Sequence, residues 1–140
     1  MRNVPGLDAD LKSGEAMFGT IDSWLMYNLT GGAEHGGIHI TSVCNASRTL
    51  MMDLKTLQWD DSLLKQLGIP KCCLPEIRSN SEVYGFGAKG GYLDGVRLSG
   101  ILGDQQAALF GQACFEPGEV KVSQSAPVME TGGGVVHRWI

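Results

Sequence analysis

This sequence has little excess charge of either sign. It also lacks long hydrophobic runs and closely spaced cysteine pairs of the CxxC type. Its 140 residues carry 11 Lys and Arg against 15 Asp and Glu, and the basic residues are scattered. Nucleic-acid binding usually leaves a basic patch, so we expect no nucleic-acid partner. No apolar run approaches the roughly 20 residues of a membrane helix, and the first residues lack the apolar core of a signal peptide. The sequence therefore predicts a cytoplasmic protein without a membrane partner.

Metal-binding and disulfide patterns are also lacking. The adjacent Cys72 and Cys73 have a poor geometry for a shared disulfide or zinc site, and no CxxC pair occurs. His35 and His39 lie four residues apart, but glycines separate them and no third ligand is evident. We expect reduced cysteines, surface histidines and no metal site.

Glycine, by contrast, is abundant, with 20 of 140 residues, and it divides the chain into short elements. Apolar spacing predicts helices where it follows a period of 3.6 residues and strands where it alternates. Residues 45–49 are expected to form a polar turn, and residues 75–78 an extended connector. Strands alternating with helices indicate a mixed α/β domain. The predicted helices are 11–29, 60–67 and 105–112, and the predicted strands are 37–43, 82–86, 96–102 and 118–122.

The most chemically suggestive feature is the junction where an apolar strand meets Gly103 and Asp104 and a helix begins. Sites in α/β folds usually form at the carboxyl ends of strands. A helix N-terminus favours an ionised carboxylate, which can accept a proton from an alcohol. The alternative is that Asp104 simply caps the helix, since Asp is a favoured N-cap residue. Spacing alone leaves both interpretations open.

Two other features have weaker functional interpretations. The amides of residues 89–91 could cradle a phosphate, but the GxxxxGK[ST] pattern is absent and an ordinary surface turn is the alternative. The glycines at 132–134 are followed by no helix of any length. Ser99 lies in no GxSxG motif, so a hydrolase has no support.

Five motifs in order resemble the glycerol kinase family of FGGY-type carbohydrate kinases. The resemblance to the family that these motifs carry runs from about residue 3 to residue 121. The motifs are FGTIDSWL at 18–25, CNASRT at 44–49, LQWDD at 57–61, LPEIR at 74–78 and GDQQAALFGQ at 103–112.

The resemblance implies an actin-like, ribonuclease-H-like fold of two domains with ATP and a polyol bound between them. It implies that Asp104 activates the glycerol hydroxyl as catalytic base and that Gln105 holds a glycerol hydroxyl. The implied cofactors are ATP and Mg, glycerol is the implied substrate, and a homo-oligomer is an open alternative. No residue of this chain is assigned to ATP.

Departures from the family pattern lead to further expectations. Residues 1–121 are expected to form a partial N-terminal kinase domain that is incomplete at its N-terminal side, where the family's phosphate-binding hairpin and upstream glycerol contacts would lie. Residues 122–140 are expected to be a divergent, poorly ordered tail, replacing a second phosphate-binding hairpin. The chain alone is therefore expected to be inactive. The alternatives are a non-catalytic segment that binds full-length kinase subunits and a kinase of another polyol or sugar.

Overall fold

The computed structural model describes residues 3–123 and 126–130. The N-terminal part of the described chain forms two helices, α1 at Leu7–Ser13 and α2 at Ile21–Leu29. The prediction of one helix over residues 11–29 is therefore wrong. Gly14 ends α1 with φ of 86°, a left-handed conformation that a glycine adopts without steric cost. A local backbone preference thus overrides an apolar spacing that would suit one continuous helix.

A pair of parallel strands forms the centre of the described fold. Strand β1 is Ile40–Ser42, shorter than the predicted 37–43. Because all three of its residues are buried, they do not alternate between an inner and an outer face. Strand β4, Glu76–Arg78, pairs with β1. The segment 75–78, predicted to be an extended connector, therefore contains a strand of this pair.

The expected polar turn at residues 45–49 is helical. A short helix α3, Val43–Ala46, follows β1 directly, and a 3-10 turn continues it at Ser47–Thr49. The Ser42 hydroxyl accepts a hydrogen bond from the Asn45 amide and so caps α3. Polar side chains here form hydrogen bonds with backbone groups at the start of a helix. The same residue types form similar bonds in turns, so the sequence pattern does not distinguish the two.

Strands β2 (Met52–Asp53) and β3 (Gln58–Trp59) form an antiparallel hairpin. Helix α4 follows at Asp61–Leu67, in agreement with the predicted helix. The Asp60 carboxylate accepts hydrogen bonds from the Ser62 and Leu63 amides, and Gly68 ends the helix in a left-handed conformation. A second 3-10 turn, Lys71–Cys73, leads into β4.

The remaining described residues form two hairpins and one helix. Strand β5, Ser81–Phe86, pairs with β6, Arg97–Gly100, in antiparallel fashion around the glycine-rich loop. Helix α5 is Asp104–Gly111. Strand β7, Val120–Ser123, pairs with β8, Ala126–Glu130. Strands β5, β6 and β7 and helix α5 agree with the predicted elements to within a few residues, whereas β8 was not predicted and lies where a poorly ordered tail was expected.

Two apolar clusters fill the interior of the described residues. One joins α1, α4 and the β2–β3 hairpin, and the other lies between α2, β1 and the β5–β6 hairpin. The second cluster consists of Met26, Ile40, Tyr84 and Ile101, and Ile101 lies three residues before the start of α5. No helix among the described residues has the length and apolar character to cross a membrane.

The boundary of the kinase domain at residue 121 stays a prediction. Strand β7 spans that boundary, and β8 lies beyond it. Part of the expected tail, at residues 124–125 and 131–140, lies outside the described residues, and the glycines at 132–134 and His137 are among them.

Candidate active site

Asp104 lies at the edge of a cleft of about 710 Å³. One wall of the cleft is α2, and the other is β6 with the loop that leads into α5. Asp22, Asn45, Arg97 and Ser99 also line it, so five polar side chains meet at one opening. Concave openings with a few convergent polar groups are the usual form of a small-molecule site.

Asp104 is the first residue of α5, and the residue that precedes the helix is Gly103. The side chain of Asp104 is exposed, and its Oδ1 accepts a hydrogen bond from the Gln105 amide at 2.8 Å. The N-cap position of α5 is Gly103, so no side chain caps the helix there. The interpretation of Asp104 as a simple N-cap is therefore not supported, and its carboxylate faces solvent at the positive end of a helix.

The turn before Asp104 is held by Cys44, 59 positions away in the chain, whose Sγ accepts a hydrogen bond from the Gly103 amide at 2.9 Å. Cys44 is itself buried, and its own amide donates to Asn80 Oδ1 at 3.3 Å. The position of Asp104 is thus fixed through α3, which directly follows the central strand β1. This explains how an exposed carboxylate is held against a rigid scaffold.

Asp22, on the opposite wall of the cleft, is a buried carboxylate. Its Oδ2 accepts from the Ser42 amide at 2.8 Å and the Ser42 hydroxyl at 3.0 Å, and its Oδ1 accepts from the Ser23 amide at 2.9 Å. The hydroxyls of Thr20 and Thr41 donate to it as well. This network joins the start of α2 to β1, so Asp22 serves to hold the wall of the cleft in place.

Gln105 follows Asp104 but does not line the cleft. Its side chain is half-buried, and its Oε1 accepts a hydrogen bond from the ammonium of Lys121. Lys121 lies on β7 and is almost completely buried. The two residues predicted to contact substrate are therefore adjacent. The Asp104 carboxylate lines the cleft, and the Gln105 amide is hydrogen-bonded to Lys121 outside the cleft lining.

The other candidate features of the sequence lie away from this cleft. In the loop at residues 89–91, the Gly90 amide donates to Asp94 Oδ2 at 2.8 Å, which favours an ordinary surface turn over a phosphate cradle. A ring nitrogen of His39 lies 2.8 Å from the Phe18 carbonyl oxygen, and His35 is exposed. Among the described residues, no three His, Cys, Asp or Glu side chains are grouped so as to hold a metal ion.

Sequence reasoning assigned no role to Asp22, Asn45 or Lys121. A signal for Asp22 was present, since an acidic residue stands beside Ile21, Trp24 and Leu25 in a helical segment. Its donors on β1 are about twenty positions away, so spacing could not reveal them. For Lys121 there was no local signal, because its partner Gln105 is on another element.

The family of the chain follows from residues 1–111, which match the model of the N-terminal domain of the FGGY family of carbohydrate kinases. Because this match covers well over half of the 140 residues, the chain belongs to that family. The predicted resemblance and the predicted partial α/β domain are both confirmed.

Relatives of this chain include several bacterial glycerol kinases. It is 66% identical over 119 residues to the glycerol kinase of Brucella anthropi, a match that covers 85% of this chain. The glycerol kinase of Clavibacter michiganensis subsp. michiganensis is 51% identical over 140 residues and covers 98% of this chain. The first match has the extent predicted from the five motifs, whereas the second continues past residue 121 into the expected tail.

A solved structure similar to this chain is the crystal structure of Plasmodium falciparum glycerol kinase with ADP. It has a TM-score of 0.75 and 41% sequence identity, and it covers 85% of this chain. The chain spans only 23% of that structure and 23% of the Brucella anthropi relative. The segment therefore has the fold of one part of a glycerol kinase.

Proposed function

We propose that the protein to which this segment belongs phosphorylates glycerol to glycerol 3-phosphate, with ATP as phosphoryl donor and Asp104 as general base. The observation that carries this proposal is the position of Asp104. Its exposed carboxylate is fixed at the edge of a cleft, within a segment similar to glycerol kinases. A cytoplasmic location also remains a prediction.

The chemistry follows from the weak nucleophilicity of an alcohol. A carboxylate within about 3 Å of a hydroxyl orients it and accepts its proton as the new O–P bond forms. Gln105 is proposed to bind a neighbouring hydroxyl and so select the reacting oxygen. Phosphoryl transfer depends mostly on positioning and on neutralising the phosphate charge, for which Mg is the expected counter-ion.

The described residues supply only part of this machinery. Among them no three His, Cys, Asp or Glu side chains are grouped so as to hold a metal ion. Asp104 can prepare the alcohol but cannot by itself align the phosphate. We therefore expect no turnover from a polypeptide of these 140 residues alone.

The test is a chimera in which residues 3–121 replace the matching segment of the Brucella anthropi glycerol kinase. We expect the chimera to form glycerol 3-phosphate from glycerol, ATP and Mg. Asp104→Asn should reduce its kcat by about 100- to 10,000-fold, because Asn keeps the shape but cannot accept the proton. Nucleotide binding, followed by calorimetry, should be unchanged.

The matched control is Asp61→Asn, which alters an exposed carboxylate on α4 that is paired with Lys71. Near-normal turnover of Asp104→Asn in the chimera would refute the role of Asp104. A panel of other polyols and sugars addresses substrate choice, and a preference for any of them over glycerol would replace glycerol in the proposal. If the chimera folds without turnover but the segment binds full-length subunits, the non-catalytic alternative is supported.

A further inference from the structure

Lys121 is a charged residue in an unusual environment. Its exposed fraction is 1%, and its Nζ donates a hydrogen bond to Gln105 Oε1. Within the part of the chain whose side chains the structure describes, no carboxylate pairs with it. Burying an ammonium is costly unless its donors are satisfied. The Lys121 ammonium contacts the neutral amide of Gln105, the residue next to the proposed base Asp104. This arrangement suggests that the buried cation has a function.

The reason suggested by the geometry is the orientation of the Gln105 amide. A glutamine side chain has one accepting end and one donating end, and the two differ little in shape. An ammonium has three donors and no acceptor, so it can face only the oxygen of the amide. Lys121 thereby fixes which end of Gln105 is occupied and leaves the Nε2 end available as a donor.

We propose that Lys121 is a positioning residue that holds Gln105 as a hydrogen-bond donor toward a hydroxyl of the polyol. The proposal deepens the function proposed above and rests on it. Asp104 accepts a proton from one hydroxyl, and Gln105 donates to the oxygen of a second one. Asp104 lines the cleft and Gln105 is the next residue of α5, outside the lining, so a polyol held by both must extend from the cleft to the Gln105 amide. Because Lys121 is buried, it acts on the substrate only through Gln105.

The experiment is a double-mutant cycle in the chimera. Lys121→Met keeps most of the length of the side chain but removes the donor, so the KM for glycerol should rise about tenfold with little change in kcat. The KM for ATP should not change. Gln105→Ala should raise the KM for glycerol by a similar factor, and Lys121→Met should add nothing further in that background. Lys121→Arg, which retains a cationic donor, should restore most of the affinity.

A second variant tests the proposal should Lys121→Met fail to fold. Gln105→Glu gives Lys121 a charged partner but removes the amide donor. We expect it to raise the KM for glycerol while the melting temperature stays equal or increases. Lys55→Met, at an exposed lysine in the β2–β3 turn, is the matched control and should have no effect.

Three results would overturn the proposal. One is an unchanged KM in folded Lys121→Met. Another is additivity of Lys121→Met with Gln105→Ala, which would indicate a purely structural role for the lysine. The third is unaltered glycerol affinity in Gln105→Glu. An unsubstituted chimera that folds but does not phosphorylate glycerol would refute the proposed function and this inference together.

Discussion

Asp22 shows how a single residue determines the geometry of the cleft. Its carboxylate accepts hydrogen bonds from three neighbouring hydroxyls and two amides, and it lies at the start of α2, where the helix dipole favours a negative charge. No basic side chain among the described residues forms an ion pair with it. Hydrogen bonds and the dipole therefore compensate for the desolvation of the carboxylate.

Asp22→Asn should destabilise the chimera by about 3 kcal/mol, because one accepting oxygen becomes an NH2 group facing buried donors. Denaturant unfolding, followed by circular dichroism, measures this loss. Asp61→Asn, on an exposed carboxylate, serves as the control and should change the free energy of unfolding by less than about 0.5 kcal/mol. Equal stability of the two variants would show that the network around Asp22 contributes little.

Gly87 is a second residue whose identity is dictated by its surroundings. A Cβ added there would lie 1.8 Å from the backbone oxygen of Leu93, a contact that only movement of the loop could relieve. Gly111, at the end of α5, is the opposite case. A Cβ at that position would have no neighbouring atom within 4 Å, and the backbone φ is not positive.

We therefore expect opposite effects from alanine at these two glycines in the chimera. Gly87→Ala should reduce the free energy of unfolding by more than about 2 kcal/mol, through strain in the loop between β5 and β6. Gly111→Ala should be neutral or stabilising by up to about 1 kcal/mol, because it lowers the entropy of the unfolded chain. A well-tolerated Gly87→Ala would indicate that this loop adopts a different backbone path.

At the scale of elements, the sequence predicts those structures whose signals are local. Helix α4 is recognisable because its Asp60 cap and its Gly68 stop are both adjacent to it. The break between α1 and α2 is missed because the apolar spacing continues across Gly14. Strand β4 is missed because its partner β1 is more than thirty positions away, and pairing partners at that separation leave no local pattern.

The β5–β6 hairpin carries a pH-dependent contact at Tyr84. Burial, reinforced by the nearby Glu82 charge, raises the pKa of Tyr84 to about 12, and its hydroxyl donates to the Ser79 carbonyl at 2.5 Å. In an unfolded chain a tyrosine titrates near a pKa of about 10. Between these two values the unfolded state has lost its proton and the folded state has not, so stability falls as pH rises.

We expect the chimera to lose stability between about pH 10 and 12, and part of that loss should be absent in Tyr84→Phe. Below about pH 10 the same variant should be less stable by about 1 kcal/mol, because the hydrogen bond to Ser79 is gone. Chemical unfolding at several pH values measures both effects. A parallel pH dependence in the two proteins would exclude Tyr84 as the group responsible.

At the scale of the whole molecule, the candidate site was only partly predictable. Asp104 could be found because it stands at a strand–helix junction with a motif of its own. Its supports could not, since Cys44 and Lys121 reach the start of α5 from other elements. Periodicity describes one element at a time, whereas a site is formed by the contacts between elements.

Helix α2 exposes an apolar face, of which Ile21 and Leu25 also line the open cleft. Ile21, Trp24 and Leu25 lie on one side of the helix, and their exposed fractions are 78%, 66% and 44%, while Asp22, Ser23 and Met26 are buried on the other. A contiguous apolar face of this kind favours association in water. Trp24 lies outside the lining of the cleft, so it can be substituted without altering the proposed site.

A polypeptide of these 140 residues is therefore expected to self-associate through the outer face of α2. Size-exclusion chromatography with light scattering should detect species larger than 15.0 kDa. Trp24→Gln should shift the distribution toward the monomer, because it removes the largest apolar side chain of this face. Tyr92→Gln is the matched control, since Tyr92 is a fully exposed aromatic residue in the loop between β5 and β6, away from α2. A monodisperse monomer in the unsubstituted chain, or an equal effect of the two substitutions, would show that the face of α2 does not drive association.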